Sequence, residues 1–435
     1  MLGQFVAAIA TRAPPPFPRW ALFPALGLLG CAAEPVVPSV PEHIEAAALS
    51  PVLTDASPPH LPVSASVAPV AAPRTSSNPQ LARFHGALRA LEEKRATRHV
   101  RVLWLGDSHG QADFWSGQLR RSLAERFGSG GPGFVHLGYK NYRHDGLKLE
   151  VDGRWRMRPK RPVWIERQDD GVFGLGGLMM SGYADSPRVE LTVSDTGGAE
   201  QLSFDLCYRF HKPDDQLEIT VGGQRRSLQV GADSPINELR HVMLTGPSSS
   251  SFAVRPIGRT DLCGVVVEAD PRTTPGVVLD TLSINGARYG TMLAWDAEAW
   301  TAEVARRQPD LVILELGTNE AGDGTPKFDR VADDARALLE RVRSAAPSCD
   351  CVVVSPTDRA DAETRTTKMR ATLMARAAEL GCAWFDAWEI LGGEGAMAKL
   401  REESEPKVQA DGIHLTIKGY RELGQAMFTQ LMKGY

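Results

Sequence analysis

Cysteine is scarce, with six residues in a chain of 435. That is too few for a disulfide scaffold, and no Cys-x-x-Cys pair suggests a zinc site. Neither sign of charge dominates: the net charge is -4 at pH 7 and no lysine or arginine run stands out, so nucleic acid is not an expected partner. No apolar stretch reaches the roughly 20 residues that span a bilayer. The histidines show no His-Glu-x-x-His or similar ligand spacing, so no metal and no other cofactor is expected. Gly128 to Gly133 satisfies Gly-x-Gly-x-x-Gly, but it follows a helical pattern and contains Pro132. It reads as a loop rather than a phosphate cradle. What is present is ordinary for a globular chain: 43% hydrophobic and 23% charged residues, enough for a sizeable core. At about 150 residues per domain the length allows two or three domains.

The first residues read as a targeting segment. Arg12 and Arg19 precede an apolar stretch, Trp20 to Gly30. At about 11 residues it has the length of a signal-peptide core rather than of a spanning helix. It ends in Leu28-Leu29-Gly30-Cys31, which resembles a bacterial lipobox. The resemblance implies cleavage before Cys31 and a diacylglycerol on its thiol, with residues 1–31 as the signal. Ala32 rather than Asp follows, which in this scheme implies sorting to the outer membrane, with the chain facing the periplasm. Residues 32–79 are rich in Pro, Ala, Ser and Val. Each proline fixes φ and lacks an N–H, which excludes helices and central strands. This is the composition of a linker, and as polyproline II it could reach on the order of 150 Å.

From Leu81 the pattern changes. Leu81, Phe84, Leu88 and Leu91 share one helical face. A β-rich run, His99 to Leu105, stops at Gly106-Asp107-Ser108-His109-Gly110, and a helix follows. The same rhythm resumes far downstream, with strands at 277–284, 311–316, 351–355 and 382–386 and helical patterns around Val331 to Val342, Arg365 to Leu380 and Leu423 to Leu431. Apolar strands alternating with amphipathic helices imply a parallel α/β sheet with helices on both faces. Between about 141 and 276 the period is two instead, as in Leu202/Phe204/Leu206/Tyr208/Phe210 and Leu217/Ile219/Val221, with turn signals between runs. That predicts an all-β sandwich insertion over 141–276, splitting an α/β domain into 80–140 and 277–435. Cys207 and Cys263 fall in the insertion, and Cys349, Cys351 and Cys382 lie near strand starts. Disulfides and buried thiols are both open for them.

Gly106 to Gly110 fits the Gly-x-Ser-x-Gly elbow of α/β-hydrolases and also the Gly-Asp-Ser block of SGNH/GDSL hydrolases. Position favours the second, because Ser108 follows the first strand while Asp411-Gly412-Ile413-His414 stands near the other end of the chain. Gly317-Thr318-Asn319 follows a buried strand, and Ser283-Ile284-Asn285-Gly286-Ala287 follows the resumed one. Four blocks in this order resemble the SGNH/GDSL family, with His109 where the family name has Leu. The resemblance implies a flavodoxin-like five-stranded sheet of order 2-1-3-4-5. The residues carry their own logic. Ser108 needs an adjacent base to act as a nucleophile, and His414 can take its proton and later return it to the leaving alkoxide. Asp411, three residues earlier, can orient the imidazole. The N–H groups of Ser108 and Gly286 and the Asn319 amide are the candidate oxyanion donors.

The start of the domain, Ser108 to Phe114 and Arg126 to Val135, together with the β insertion, resembles bacterial peptidoglycan O-acetylesterases that carry a carbohydrate-binding-module-like insertion. What the resemblance implies is a serine esterase acting on acetylated cell-wall glycan, in which Trp155, Trp164 or Tyr208 could offer ring faces to sugars. A lipase or thioesterase of the same fold, and a glycan-binding lipoprotein that tethers membrane to wall, are the alternatives.

Overall fold

The periodicity at the start of the domain is realised as the helix Ala82–Glu92, whose Phe84, Leu88 and Leu91 are buried, with Leu81 just before it. The computed structural model describes residues 76–140, 142–231 and 235–435. The expected signal segment, Cys31 and residues 32–75 of the linker lie outside the described residues.

Five strands form an all-parallel sheet, ordered Val277–Ser283, Val100–Gly106, Leu311–Glu315, Asp350–Val354, Ala383–Phe385. Counted along the chain this is 2-1-3-4-5, as expected. The strands read as continuous apolar runs because both faces are covered. Leu103 and Leu105 turn to one side, where they pack with Val312 and Leu314 and with residues of the helices Ala297–Arg307, Phe328–Ala345 and Glu363–Glu379. Val102 and Trp104 turn to the other, against the helices Ala82–Glu92, Trp115–Phe127 and Ile417–Leu431. Each buried Leu or Val contributes about 1.5–3 kcal/mol relative to exposure.

The insertion is a second sheet, nine-stranded and antiparallel. It is one connected sheet curled on itself rather than two separate leaves. The cause is the long strand Met179–Val193, which changes partner along its length. Ser181 and Met180 face Asp261 and Leu262, whereas Val189 to Leu191 pair with Phe252 to Val254. The curl brings Phe204 and Phe252 face to face at 4.8 Å, although their strands are not neighbours in the sheet. The sheet also recruits Gly133–Val135, upstream of the expected start at 141. This short strand pairs with Val265–Val267, where Met179–Val193 leaves the edge free.

The two sheets are stapled together. Gly130 N–H and Val277 N–H exchange hydrogen bonds with Val277 and Gly128 carbonyls, and Phe134 N–H donates to Asp280. Buried Arg307 bridges Asp280 of the parallel sheet and Glu268 of the curled one, at 2.8 and 2.7 Å. Arg101 also pairs with Glu268, Arg306 with Asp205, and His241 with Glu303. Among the described residues two disulfides form, Cys207–Cys263 inside the curled sheet and Cys351–Cys382 beside the last two parallel strands, with Cys349 buried as a thiol. No helix among the described residues is long and apolar enough to cross a membrane.

Candidate active site

The strand Val100–Gly106 ends at a glycine, and the chain turns at once into the short helix Ser108–Gln111. Asp107 caps that helix by accepting the His109 N–H at 2.9 Å. Ser108 is its first residue, so its own N–H has no intrahelical acceptor and points outward from a positive helix end. The position lies between the strands Val277–Ser283 and Leu311–Glu315, where the strand order reverses and α/β sheets bind ligands.

The other end of the chain meets it there. Residues 409–415 form a tight turn closed by Gln409 N–H to the His414 carbonyl and by a bridge between Val408 and Leu415. Within it, Asp411 Oδ1 accepts the N–H groups of Ile413 and His414, both at 3.0 Å. Its Oδ2 lies 2.7 Å from His414 Nδ1. His414 Nε2 in turn lies 2.7 Å from Ser108 Oγ. Burial opposes the charge on Asp411, but the ring and the two N–H donors outweigh it and hold the carboxyl down at about 2. The three-residue spacing therefore does what geometry requires. It presents an ionised carboxylate to one ring nitrogen and leaves the other facing the serine hydroxyl.

The remaining two sequence candidates sit on the flanking loops. Gly286 has φ +82° in the turn after Val277–Ser283, a backbone that disfavours any side chain. A Cβ there would also stand 3.2 Å from Val163 of the insertion. Among the described residues its N–H has no acceptor. Asn319 is the second residue of the short helix Thr318–Ala321, which follows Leu311–Glu315. Its amide donates to the Ala287 carbonyl at 3.0 Å and to Asp107 Oδ2 at 3.3 Å. The structure thus brings Ser108, His414 and Asp411 into one hydrogen-bonded line and ties the Asn319 amide to the same elbow.

Residues 262–422 match the GDSL-like Lipase/Acylhydrolase family. The chain carries a GDSL-like acylhydrolase domain. The matched stretch holds Gly286, Asn319, Asp411 and His414 but not Ser108, which the insertion separates from it along the chain. A solved peptidoglycan O-acetylesterase, captured in action, superposes with a TM-score of 0.66 at 20% identity, covering 82% of this chain and 95% of that one. That likeness is one of fold, and it includes the insertion. An acetyl xylan esterase gives a TM-score of 0.31 at 13% identity, covering 37% of this chain and 83% of that one. A family two carbohydrate esterase from Clostridium thermocellum, in complex with cellohexaose, gives 0.28 at 9% identity, with 65% and 98% covered. No curated protein sequence matches the chain significantly.

Several residues that organise the hydrolase site carry no sequence signal of their own. Gln111 accepts the Asn285 N–H at 2.6 Å and donates to Tyr139 Oη at 3.2 Å, joining the Ser108 helix, the Gly286 loop and the insertion. Glu320 accepts the Tyr289 N–H at 2.9 Å, and burial lifts its carboxyl to about 7. His109 is fully buried beside His414 and is held by Tyr420 Oη at 2.9 Å. Burial, with the nearby His414 adding, lowers His109 to about 3, so its ring is a neutral wall. Of the aromatic candidates, Tyr208 is withdrawn. It is buried in the curled sheet against Phe210, because its strand position faces the core. Trp164 is 42% exposed with the Arg161 guanidinium over its ring. Trp155 lines a groove of about 390 Å³ with Tyr139 and Tyr183.

Proposed function

We propose that this chain is an exported serine esterase that removes O-acetyl groups from cell-wall glycan, peptidoglycan in particular. The observation that carries the reading is the line Ser108–His414–Asp411, with its two contacts of 2.7 Å. In this mechanism His414 takes the Ser108 proton as Oγ attacks the acetyl carbonyl. The tetrahedral oxyanion forms between the N–H groups of Ser108 and Gly286. The Asn319 amide completes the hole by turning from Asp107, a contact at the long end of the hydrogen-bond range. Imidazolium then protonates the sugar oxygen as its bond to the acetyl carbon breaks, leaving acetyl on Ser108, and the same ring activates the water that releases acetate.

The glycan reading has its own support. The His414 and Asp411 side chains are 31% and 44% exposed, so the chemistry sits at an open surface that a polymer can reach. Val163 abuts the Gly286 loop, and the next residue in the chain, Trp164, is an exposed aromatic. In this scheme Cys31 carries the lipid and the linker lets the enzyme work away from the outer membrane. A Cys31→Ser protein should then be lost from the membrane fraction, and normal membrane recovery would exclude the anchor. The substrate is tested by acetate release from O-acetylated peptidoglycan, against other acetylated polysaccharides and p-nitrophenyl esters of rising chain length. Preference for long acyl chains, or no release from peptidoglycan, would overturn the assignment.

A further inference from the structure

Beneath the Ser108 turn lie two carboxyl groups that the proposed chemistry does not use. Asp107 precedes the serine, and Glu315 ends the adjoining strand in register with Gly106; both are buried. Glu315 Oε2 accepts the Asp107 N–H at 3.3 Å and the Trp104 indole N–H at 3.4 Å. A Cβ on Gly106 or Gly110 would stand 2.4 or 3.1 Å from this oxygen, so glycine at both positions is what admits the carboxyl under the elbow. Asp107 Oδ1 accepts the His109 N–H and Oδ2 the Asn319 amide. Glu315 also feels the charge of Asp107. Asp107 feels His414 on the terminal turn, and the carboxyl groups are felt in turn by Tyr289 and Glu320 on the short flanking helices and by Tyr420 on the last helix.

Two neighbouring carboxylates that are both buried, and that no lysine or arginine side chain pairs among the described residues, cannot both ionise, so the pair holds one proton. The donors decide where it resides. Asp107 collects a main-chain N–H at 2.9 Å and a side-chain amide, whereas Glu315 receives only two contacts, of 3.3 and 3.4 Å. We infer that Glu315 is a protonated acid at neutral pH whose O–H donates to the Asp107 carboxylate, and that it is thereby a positioning residue for the first turn of the Ser108 helix, which Asp107 caps. Its effect on turnover rests on the proposed role of Ser108. The location of the proton does not.

Infrared difference spectroscopy between wild type and Glu315→Gln at neutral pH reads the carbonyl stretch of a protonated carboxyl. The expected result is a buried-acid band that the substitution removes, and a difference spectrum without that band overturns the assignment whether or not Ser108 is the nucleophile. Kinetics on a small aryl acetate test the positioning. Gln keeps a donor toward Asp107, so Glu315→Gln should turn over within a few-fold of wild type. Its alkaline limb should extend to higher pH, because the ionisation that sets two charges side by side is gone. Glu315→Leu offers no donor, and its kcat should fall about 10²-fold with KM little changed, the size of one lost oxyanion contact. A Gln variant as impaired as the Leu variant, a Leu variant of normal kcat, or an unmoved alkaline limb contradicts the proposal. Should the Leu variant fail to fold, the infrared band and the Gln profile decide alone.

Discussion

Asp411→Asn isolates the part of the site that the turn at 409–415 is built to hold. The amide is isosteric, and its oxygen can keep the N–H groups of Ile413 and His414, so the turn should survive. Two things change. The charge opposite the forming imidazolium disappears. At about 4 Å and an effective dielectric between 20 and 80 that charge contributes about 1–4 kcal/mol, and the exposure of Asp411 argues for the lower half. The amide NH₂ also now faces His414 Nδ1, which favours the tautomer with its proton on Nε2, where the ring must instead accept from Ser108. Together these should lower kcat about 10³-fold with KM shifted little, measured on p-nitrophenyl acetate across pH. The sign of the pH effect is fixed by the depressed carboxyl. Asp411 remains ionised until pH falls to about 2, so its stabilisation is complete above the ordinary carboxylate range and lost only through that value. An acid limb of activity above that value is therefore not set by Asp411 and should persist in the Asn variant. A kcat within tenfold of wild type, or loss of the acid limb, would refute the reasoning.

Asn319→Ala should lower kcat on the same ester by about 10²-fold or more while KM moves little, since its amide is assigned to charge that develops in the transition state; a change confined to KM would make it a substrate-binding group. Arg307→Ala leaves Glu268 and Asp280 buried without their shared cation. Chemical denaturation should show a loss of about 3–5 kcal/mol, and a change below about 1 kcal/mol would mean the bridge between the sheets is not the strong contact it looks.

The parts of the molecule legible in the sequence are those where local pattern and tertiary role coincide. Leu103, Leu105, Val312 and Leu314 are apolar because both faces of their sheet are covered, and the 2-1-3-4-5 order was an expectation implied by the family resemblance that the motif blocks carry. Asp411 and His414 were legible because three residues of spacing suffice for a turn to join them. What escaped depends on contacts between distant segments. Whether the insertion has two leaves or one depends on Met179–Val193 changing partners midway, which its alternation does not encode. Tyr208 carries the same aromatic ring as a sugar platform, and only the direction of its strand face shows it to be core. Gln111, Glu315 and Glu320 are ordinary polar residues in sequence, and their burial around the elbow is known only once the strands are aligned.

The central claim is that Ser108 is acylated. Mass spectrometry of the chain quenched during turnover of an acetyl ester, with peptide mapping, tests it most directly. The account predicts one acetyl group on the peptide that contains Ser108, absent from Ser108→Ala, whose turnover should be nearly abolished although it folds normally. It also predicts that Ser108→Ala combined with His414→Ala is little worse than either alone, because the pair acts as a unit. Acetyl found on another residue, or a folded Ser108→Ala protein that hydrolyses the ester at near wild-type rate, would contradict it.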